Sequence, residues 1–343
     1  MTKRNSNLEL LRILSILMII SHHYYYHGGF TELSTGNRIF LQIVGGGART
    51  AIACFVLITG YYGERIKPGR VVALVKDRWV YSFLITVILL AIGAVTYSQK
   101  LLFQTLFPIL SCRHNYITAF CLLCLFIPFL NKFVDSPQMS KRSLETFILL
   151  SAITLSAIPT VIPQFANNTY CYLFWMMFLF IIGRCLSLYE YNFHWKLLLL
   201  LSFVLHLTAL FYIEPHTSYS VFRMANTQYT ITNLIIPVCL LEIFSKMPEK
   251  NNSVINWLAK SVFAVYIIHD DPYIREIIWS RIFQNSRFGM SKFLPLHFLF
   301  TVAAIFVVCV ITDKLLRATL FKAVDKLPFD KLQNKINLFY ETL

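Results

Sequence analysis

Glu9, Arg12, His22, His23 and His27 interrupt an otherwise apolar stretch near the start of the chain. Ionisable groups are costly in such a stretch, so each is a candidate for chemistry. Arg12 and His23 are eleven residues apart, which at 100° per residue is about 20° past three full helical turns. Both side chains therefore share one stripe of a helix, roughly 16 Å apart along its axis. Arg12 suits an anionic ligand such as a phosphate. Glu9, three residues earlier, can pair with it and orient it. His23, deeper in the stretch, can serve as a general base when its imidazole is neutral. The competing reading is an arginine snorkelling to lipid headgroups and a histidine held in a helix interface, and spacing alone leaves both open. His22 points about 80° away from Arg12. It and His27 read as interface histidines.

A second candidate lies late in the chain, where His269 is followed by Asp270, Asp271 and Pro272 in an apolar span. The proline should break or kink the helix and free backbone groups there. An Asp–His neighbourhood in lipid is costly without a purpose. Arg113 with His114, and Glu214 with His216, read as solvated residues at loop edges. Most of the eight cysteines fall in apolar runs, where cysteine behaves as a small hydrophobe. Cys121 and Cys124 form a CxxC without a second ligand pair, so no metal site is expected.

The elements that must carry these residues follow from composition. Hydrophobic residues make up 57% of the 343 residues and charged ones only 14%, with a mean hydropathy of +0.60. Too few charges remain to cover a soluble protein of this size, where about 25% is usual. A soluble enzyme, a disordered chain and a secreted disulfide scaffold are thereby excluded. Ten apolar runs are long enough to be read as spans: 8–27, 39–62, 80–97, 114–131, 144–162, 170–188, 195–213, 227–245, 261–283 and 294–316. The expected fold is all-α, a polytopic membrane helix bundle with about ten transmembrane helices. An even number puts both termini on one side. The excess of Lys and Arg in alternate loops makes that side cytoplasmic. The net charge of +14 is thus a matter of topology, and no nucleic acid is expected. Residues 99–111 are too short to span and suit a helix on the outer face. One membrane domain is expected over 1–320, with a cytoplasmic amphipathic tail over 321–343 near anionic lipid.

Asn7-Leu-Glu-Leu-Leu-Arg12 through His22-His23 resembles the opening of the acyltransferase family 3 membrane proteins, whose hallmark is Arg or Lys, ten residues, then His. The resemblance continues through Phe55-Val-Leu-Ile-Thr-Gly60-Tyr61-Tyr62, similar to the family's Phe-x-x-x-Ser-Gly-Tyr-Phe. It covers Ile117-Thr-Ala-Phe120 through Pro128-Phe-Leu-Asn131, and Tyr266-Ile-Ile-His269 is similar to the family's Tyr-Leu-x-His segment. One departure is the basic loop before the third span. It reads Lys76-Asp-Arg78-Trp where many members have Arg-x-x-Arg, so Lys76 and Arg78 stand in for that pattern.

The resemblance implies an O-acyltransferase, most often an O-acetyltransferase, that uses acetyl-CoA as donor. The acceptor would be a cell-surface polysaccharide or its lipid-linked precursor, in the branch found with capsule and exopolysaccharide biosynthesis. That implies a multi-pass protein of a bacterial plasma membrane. Arg12 and His23 inherit the motif roles, with Glu9 and His269 as further catalytic candidates. Arg12, Arg65, Lys67, Arg70, Lys76 and Arg78 are the candidate cations for the donor's phosphates, although the loop is as readily a topology determinant. Arg49, entering the second span after three glycines, and Asp270 are candidate substrate contacts for a glycan. The rival from another class is a transporter or flippase of glycans or lipid-linked sugars. Transporters often show repeated halves, and no internal repeat is visible here.

Overall fold

The computed structural model describes residues 5–161, 172–213 and 227–342, and every regular element among them is helical. Helix α1 covers Ser6–Tyr26, α2 Thr35–Gly45, α3 Ala48–Tyr61, α4 Arg70–Ala91 and α5 Gln99–Leu106. Then come α6 at Asn115–Val134, α7 at Lys141–Val161, α8 at Tyr172–Leu188, α9 at Trp195–Thr208 and α10 at Ile231–Ser245. The last part holds α11 at Ser253–Ala259, α12 at Val262–His269 and α13 at Pro272–Glu276. It closes with α14 at Leu294–Ala318, α15 at Leu320–Val324 and α16 at Phe329–Glu341. Glu214 and His216 lie outside the described residues.

Four helical stretches among the described residues are long and apolar enough to cross a membrane: Thr35–Tyr61, Asn115–Val134, Lys141–Val161 and Leu294–Val324. Each of the ten expected spans coincides at least in part with helix. Helix α10 is apolar but has only 15 residues, short of the roughly 20 that a straight crossing takes. On α14, Leu296, Leu299, Phe300, Val307, Val308, Ile311 and Leu315 are all exposed. Their spacing makes one apolar face, far larger than water tolerates on a monomer. The protein is therefore a membrane protein.

The chain forms two compact units, each drawn from three stretches. The first takes residues 1–15, 46–66 and 126–256, and the second residues 16–45, 67–125 and 257–343. In the first unit the start of α1 is capped by a distant loop: Ser6 N–H donates to Lys250 O at 3.0 Å, and Asn7 Nδ2 donates to Pro248 O at 3.0 Å. The first of these satisfies a backbone donor that a helix start leaves without an intrahelical partner. Helices α3 and α8 touch backbone to backbone. A Cβ at Gly60 would sit 2.1 Å from Phe180 O, and one at Gly183 would sit 2.2 Å from Leu57 O. Small residues permit such an approach between membrane helices. Gly60 is the glycine of the family-like Thr-Gly-Tyr segment.

In the second unit α4 is the central strut. Residues 99–111 hold the short helix α5, which buries Leu101 and Thr105, while Leu102, Phe103, Leu106 and Phe107 are exposed. The chain turns back after α4 and α5 packs along it, with Thr86 Oγ1 and Thr105 Oγ1 buried 2.9 Å apart. The start of α4 is held by the C-terminal helices. Gly69 N–H donates to Asn337 Oδ1 of α16 at 2.7 Å, Lys76 pairs with Asp325, and Arg317 of α14 pairs with Asp77 at 2.7 Å and Asp313 at 2.8 Å. The end of α1 is tied to α14 through Tyr24, whose hydroxyl meets His297 Nδ1 at 2.8 Å. His297 Nε2 donates to Phe283 O at 3.0 Å, so its Nδ1 accepts the tyrosine proton.

Candidate active site

Pro272 does what its position predicts. Helix α12 ends at His269 and α13 begins at Pro272, with Pro at the first helical position and Asp271 capping: its Oδ1 accepts from Tyr273 N–H at 3.1 Å. Proline suits that position because its missing N–H would be unpaired there anyway. The break leaves His269, Asp270 and Asp271 at the junction of two helices, all buried.

Across from this junction stands the C-terminal half of α1. His23 Nδ1 lies 3.0 Å from His269 Nε2 and 3.4 Å from Asp270 Oδ1. The protons can be assigned from the partners. His269 Nδ1 is 2.6 Å from the carbonyl of Val265, which can only accept, so His269 Nδ1 carries the proton. In the neutral ring its Nε2 is then an acceptor. His23 Nδ1–H therefore donates to His269 Nε2, beside the Asp270 carboxylate. That leaves a lone pair on His23 Nε2. The His23 side chain is 13% exposed, so this atom belongs to a ring that is not sealed off.

Asp270 is fixed in turn by Arg275, whose Nε and Nη2 approach Oδ1 at 2.9 and 2.8 Å. His27 was read as an interface histidine, yet its ring is 5.2 Å from that of His23. Ligand-capable atoms of His23, His27 and Asp270 all lie within 4.8 Å of one another. Its signal in the sequence is the spacing of four from His23, which puts both on one helical face. His22, one residue from His23, instead donates from Nδ1 to Gly45 O at 2.8 Å and ties α1 to α2.

The other motif residue sits in the first unit. Arg12 Nη1 donates to Glu9 Oε1 at 2.6 Å, as the spacing of three predicted, and its guanidinium lies 5.9 Å from the centre of the Tyr62 ring. Glu9 is buried, while a quarter of the Arg12 side chain is exposed. Arg49 lies in the first turn of α3, half-buried, also in the first unit. Asp270 is in the second, so the two candidate substrate contacts are carried by different units.

The five cations of the basic loop are divided between the two units. Arg65 belongs to the first unit; Lys67, Arg70, Lys76 and Arg78 belong to the second. Arg65, Lys67 and Arg70 are exposed, and Lys76 is paired with Asp325. Arg78 is wholly buried and turns inward, to His114 Nδ1 at 2.7 Å and Asp271 Oδ2 at 3.7 Å. Arg113 and His114, expected in solvent, are buried at 5% and 4% exposure. The packing of α5 along α4 carries them inward, where Arg113 reaches Asp271 Oδ1 at 2.8 Å and Ser82 Oγ at 2.9 Å.

A histidine with a directed Nδ1–H, a lone pair on Nε2 and a carboxylate behind it can take and return a proton. No curated protein and no solved structure matches the chain. A family model described as an acyltransferase domain matches residues 5–314, nearly the whole length. The arginine, the two histidines and the broken helix described above all fall within that match, and the chain belongs to acyltransferase family 3, as a membrane acyltransferase.

Proposed function

We propose that the protein transfers acetyl from acetyl-CoA to a hydroxyl of a cell-surface polysaccharide or its lipid-linked precursor, in a bacterial plasma membrane. The observation that carries this reading is the His23–His269–Asp270 arrangement. A sugar hydroxyl is a poor nucleophile at neutral pH. His23 Nε2 accepts its proton as the oxygen attacks the thioester carbonyl. The new C–O bond forms, the C–S bond breaks, and the departing thiolate takes the proton back from His23. While His23 is protonated, its Nδ1–H faces His269 Nε2 and the Asp270 carboxylate, which stabilise the added charge. Arg12, held by Glu9, is assigned to a donor phosphate, with the exposed Arg65, Lys67 and Arg70 as further cations. About ten crossings with both ends cytoplasmic would bring the donor to the Arg12 end of α1.

The deciding measurement is proton NMR of surface polysaccharide from a deletion strain, its wild-type complement and a His23→Ala complement at equal membrane level. Acetyl signals should vanish in the deletion, return with wild type and stay absent with His23→Ala. Loss of polymer from the surface with acetylation of the internal pool intact would overturn the reading. A second expectation concerns His269→Phe, which removes the acceptor of the His23 Nδ1–H. A hydrogen bond to a charged group contributes about 1.5–3 kcal/mol, so kcat should fall roughly 10–160-fold. KM for acetyl-CoA should hardly move. Steady-state kinetics of the purified variant separates the two, and an unchanged kcat would release His269 from this role.

A further inference from the structure

Arg78, Arg113 and His114 surround Asp271 in the second unit, and their charges do not balance. The side chains of Arg78, Arg113 and Asp271 are all fully buried. Arg113 Nη2 takes Asp271 Oδ1 at 2.8 Å, and Arg78 Nη2 is 3.7 Å from Oδ2. Among the described residues no second carboxylate comes within ion-pair distance of either guanidinium. Two buried cations thus share one anion, and a full positive charge is left over. A buried charge without a counter-charge is strongly unfavourable.

The unused atoms show the same excess. Arg78 Nη2 donates to His114 Nδ1, since an arginine has only donors. His114 is then neutral, with its proton on Nε2. Among the described residues, Arg78 Nε, Arg78 Nη1, Arg113 Nε and His114 Nε2 are buried and have no hydrogen-bond partner. Every one of these is a donor, and the one acceptor of the cluster without a hydrogen bond, Asp271 Oδ2, does not offset the four. Buried polar groups are nearly always satisfied, so the cluster calls for a ligand rich in acceptors and negatively charged. The site is also held firmly in shape. Arg113 bonds Ser82 and Thr86 of α4 at 2.9 and 3.3 Å, and lies over the Tyr273 ring at 5.0 Å. Cys112 before it adopts a left-handed backbone, φ 48°, which a side chain other than glycine adopts only when its surroundings impose it.

The geometry points to a buried phosphate-binding site formed by Arg78, Arg113 and His114, with Asp271 as its internal counter-charge. A phosphate fits better than a carboxylate. Four free donor atoms on three side chains suit the tetrahedrally arranged oxygens of a phosphate, which accept from more directions than the two coplanar oxygens of a carboxylate. A phosphodiester brings one negative charge, which matches the single charge left over, and a diphosphate brings at least two. His269 and Asp270 immediately precede Asp271, so the bound phosphate would sit close to the reacting groups. The identity of the phosphate's owner rests on the acyl-transfer reading: it is either the donor nucleotide or a lipid-linked acceptor carrying a diphosphate.

The test is equilibrium binding to the full chain in lipid nanodiscs, with inorganic pyrophosphate as the shared probe. Coenzyme A and farnesyl diphosphate are the arms for donor and lipid-linked acceptor. Arg113→Gln and Arg78→Gln should each weaken pyrophosphate binding, roughly 10-fold or more for a lost charge-assisted bond. Asp271→Asn keeps a capping side chain but removes the competing anion, so it should tighten binding. Damage to the fold would weaken all three, so the opposite signs distinguish the site from misfolding. The owner of the phosphate is the arm whose affinity follows these variants. Equal binding by wild type and Arg113→Gln, weaker binding by Asp271→Asn, or no binding of any probe would each overturn the site. Binding is read without transfer, so the site can fail while His23 remains the base, and the reverse.

Discussion

His23→Ala is expected to lower kcat/KM for acyl transfer roughly 10²–10⁴-fold, the usual contribution of a positioned general base. At 1.36 kcal/mol per decade this is about 2.7–5.4 kcal/mol of transition-state stabilisation. The loss should appear in kcat, because the imidazole acts only as the proton moves. Asp270→Asn should give a smaller loss, since His23 Nδ1–H keeps His269 Nε2 at 3.0 Å as its acceptor. Radiolabelled acyl transfer with purified protein checks the expectation, with thermal unfolding run beside it to show that the variant is intact. An intact His23→Ala protein with wild-type kcat/KM would remove this residue from the chemistry.

Gly60→Leu should prevent the first unit from forming. Its Cβ alone would lie 2.1 Å from Phe180 O and within 3.0 Å of the Phe180 backbone. No rotamer change relieves a clash with backbone, so α3 and α8 would have to separate. Separation also opens the second contact, Gly183 against Leu57 O. Overpacking usually costs about 1–3 kcal/mol and more when backbone must shift. Two linked backbone contacts place this substitution at the upper end. Size-exclusion chromatography of detergent extracts should show aggregate in place of a single peak. Gly36→Ala is the matched control: nothing lies within 4 Å of its Cβ position, and alanine favours a helix. A folded Gly60→Leu protein would show that the close approach is not needed.

How far the sequence reached depends on distance along the chain. The Glu9–Arg12 pair and the break at Pro272 are local effects, readable from a spacing of three and a ring that cannot continue a helix. His23 and His269 were each legible as costly ionisable groups in apolar runs. Their hydrogen bond was not, because 246 residues separate them and no periodicity crosses that gap. Arg113 and His114 were misread for the same reason. They follow Pro108 and Ser111 in a stretch that looks like a loop, while the carboxylate that accounts for their burial is Asp271. The basic loop misled in the opposite direction. Five cations close together in sequence suggested one patch, but Lys76 and Arg78 are two apart on a helix and face different partners. Membrane character followed from composition alone. Crossings are harder to read, since helices such as α10, with 15 residues, carry the apolarity of a span without its usual length.

The second unit takes its pieces from residues 16–45, 67–125 and 257–343, and this has a consequence for how the protein is made. The ribosome adds about 5–20 residues per second. The 246 residues between His23 and His269 therefore take roughly 12–50 s to synthesise. Throughout that time the His23 imidazole is without its His269 partner, and α4 lacks the C-terminal helices that hold its start. A nascent chain arrested before His269 is expected to be inactive, however well its early helices have been inserted. On the proposed mechanism, activity cannot arise before His269 has been added.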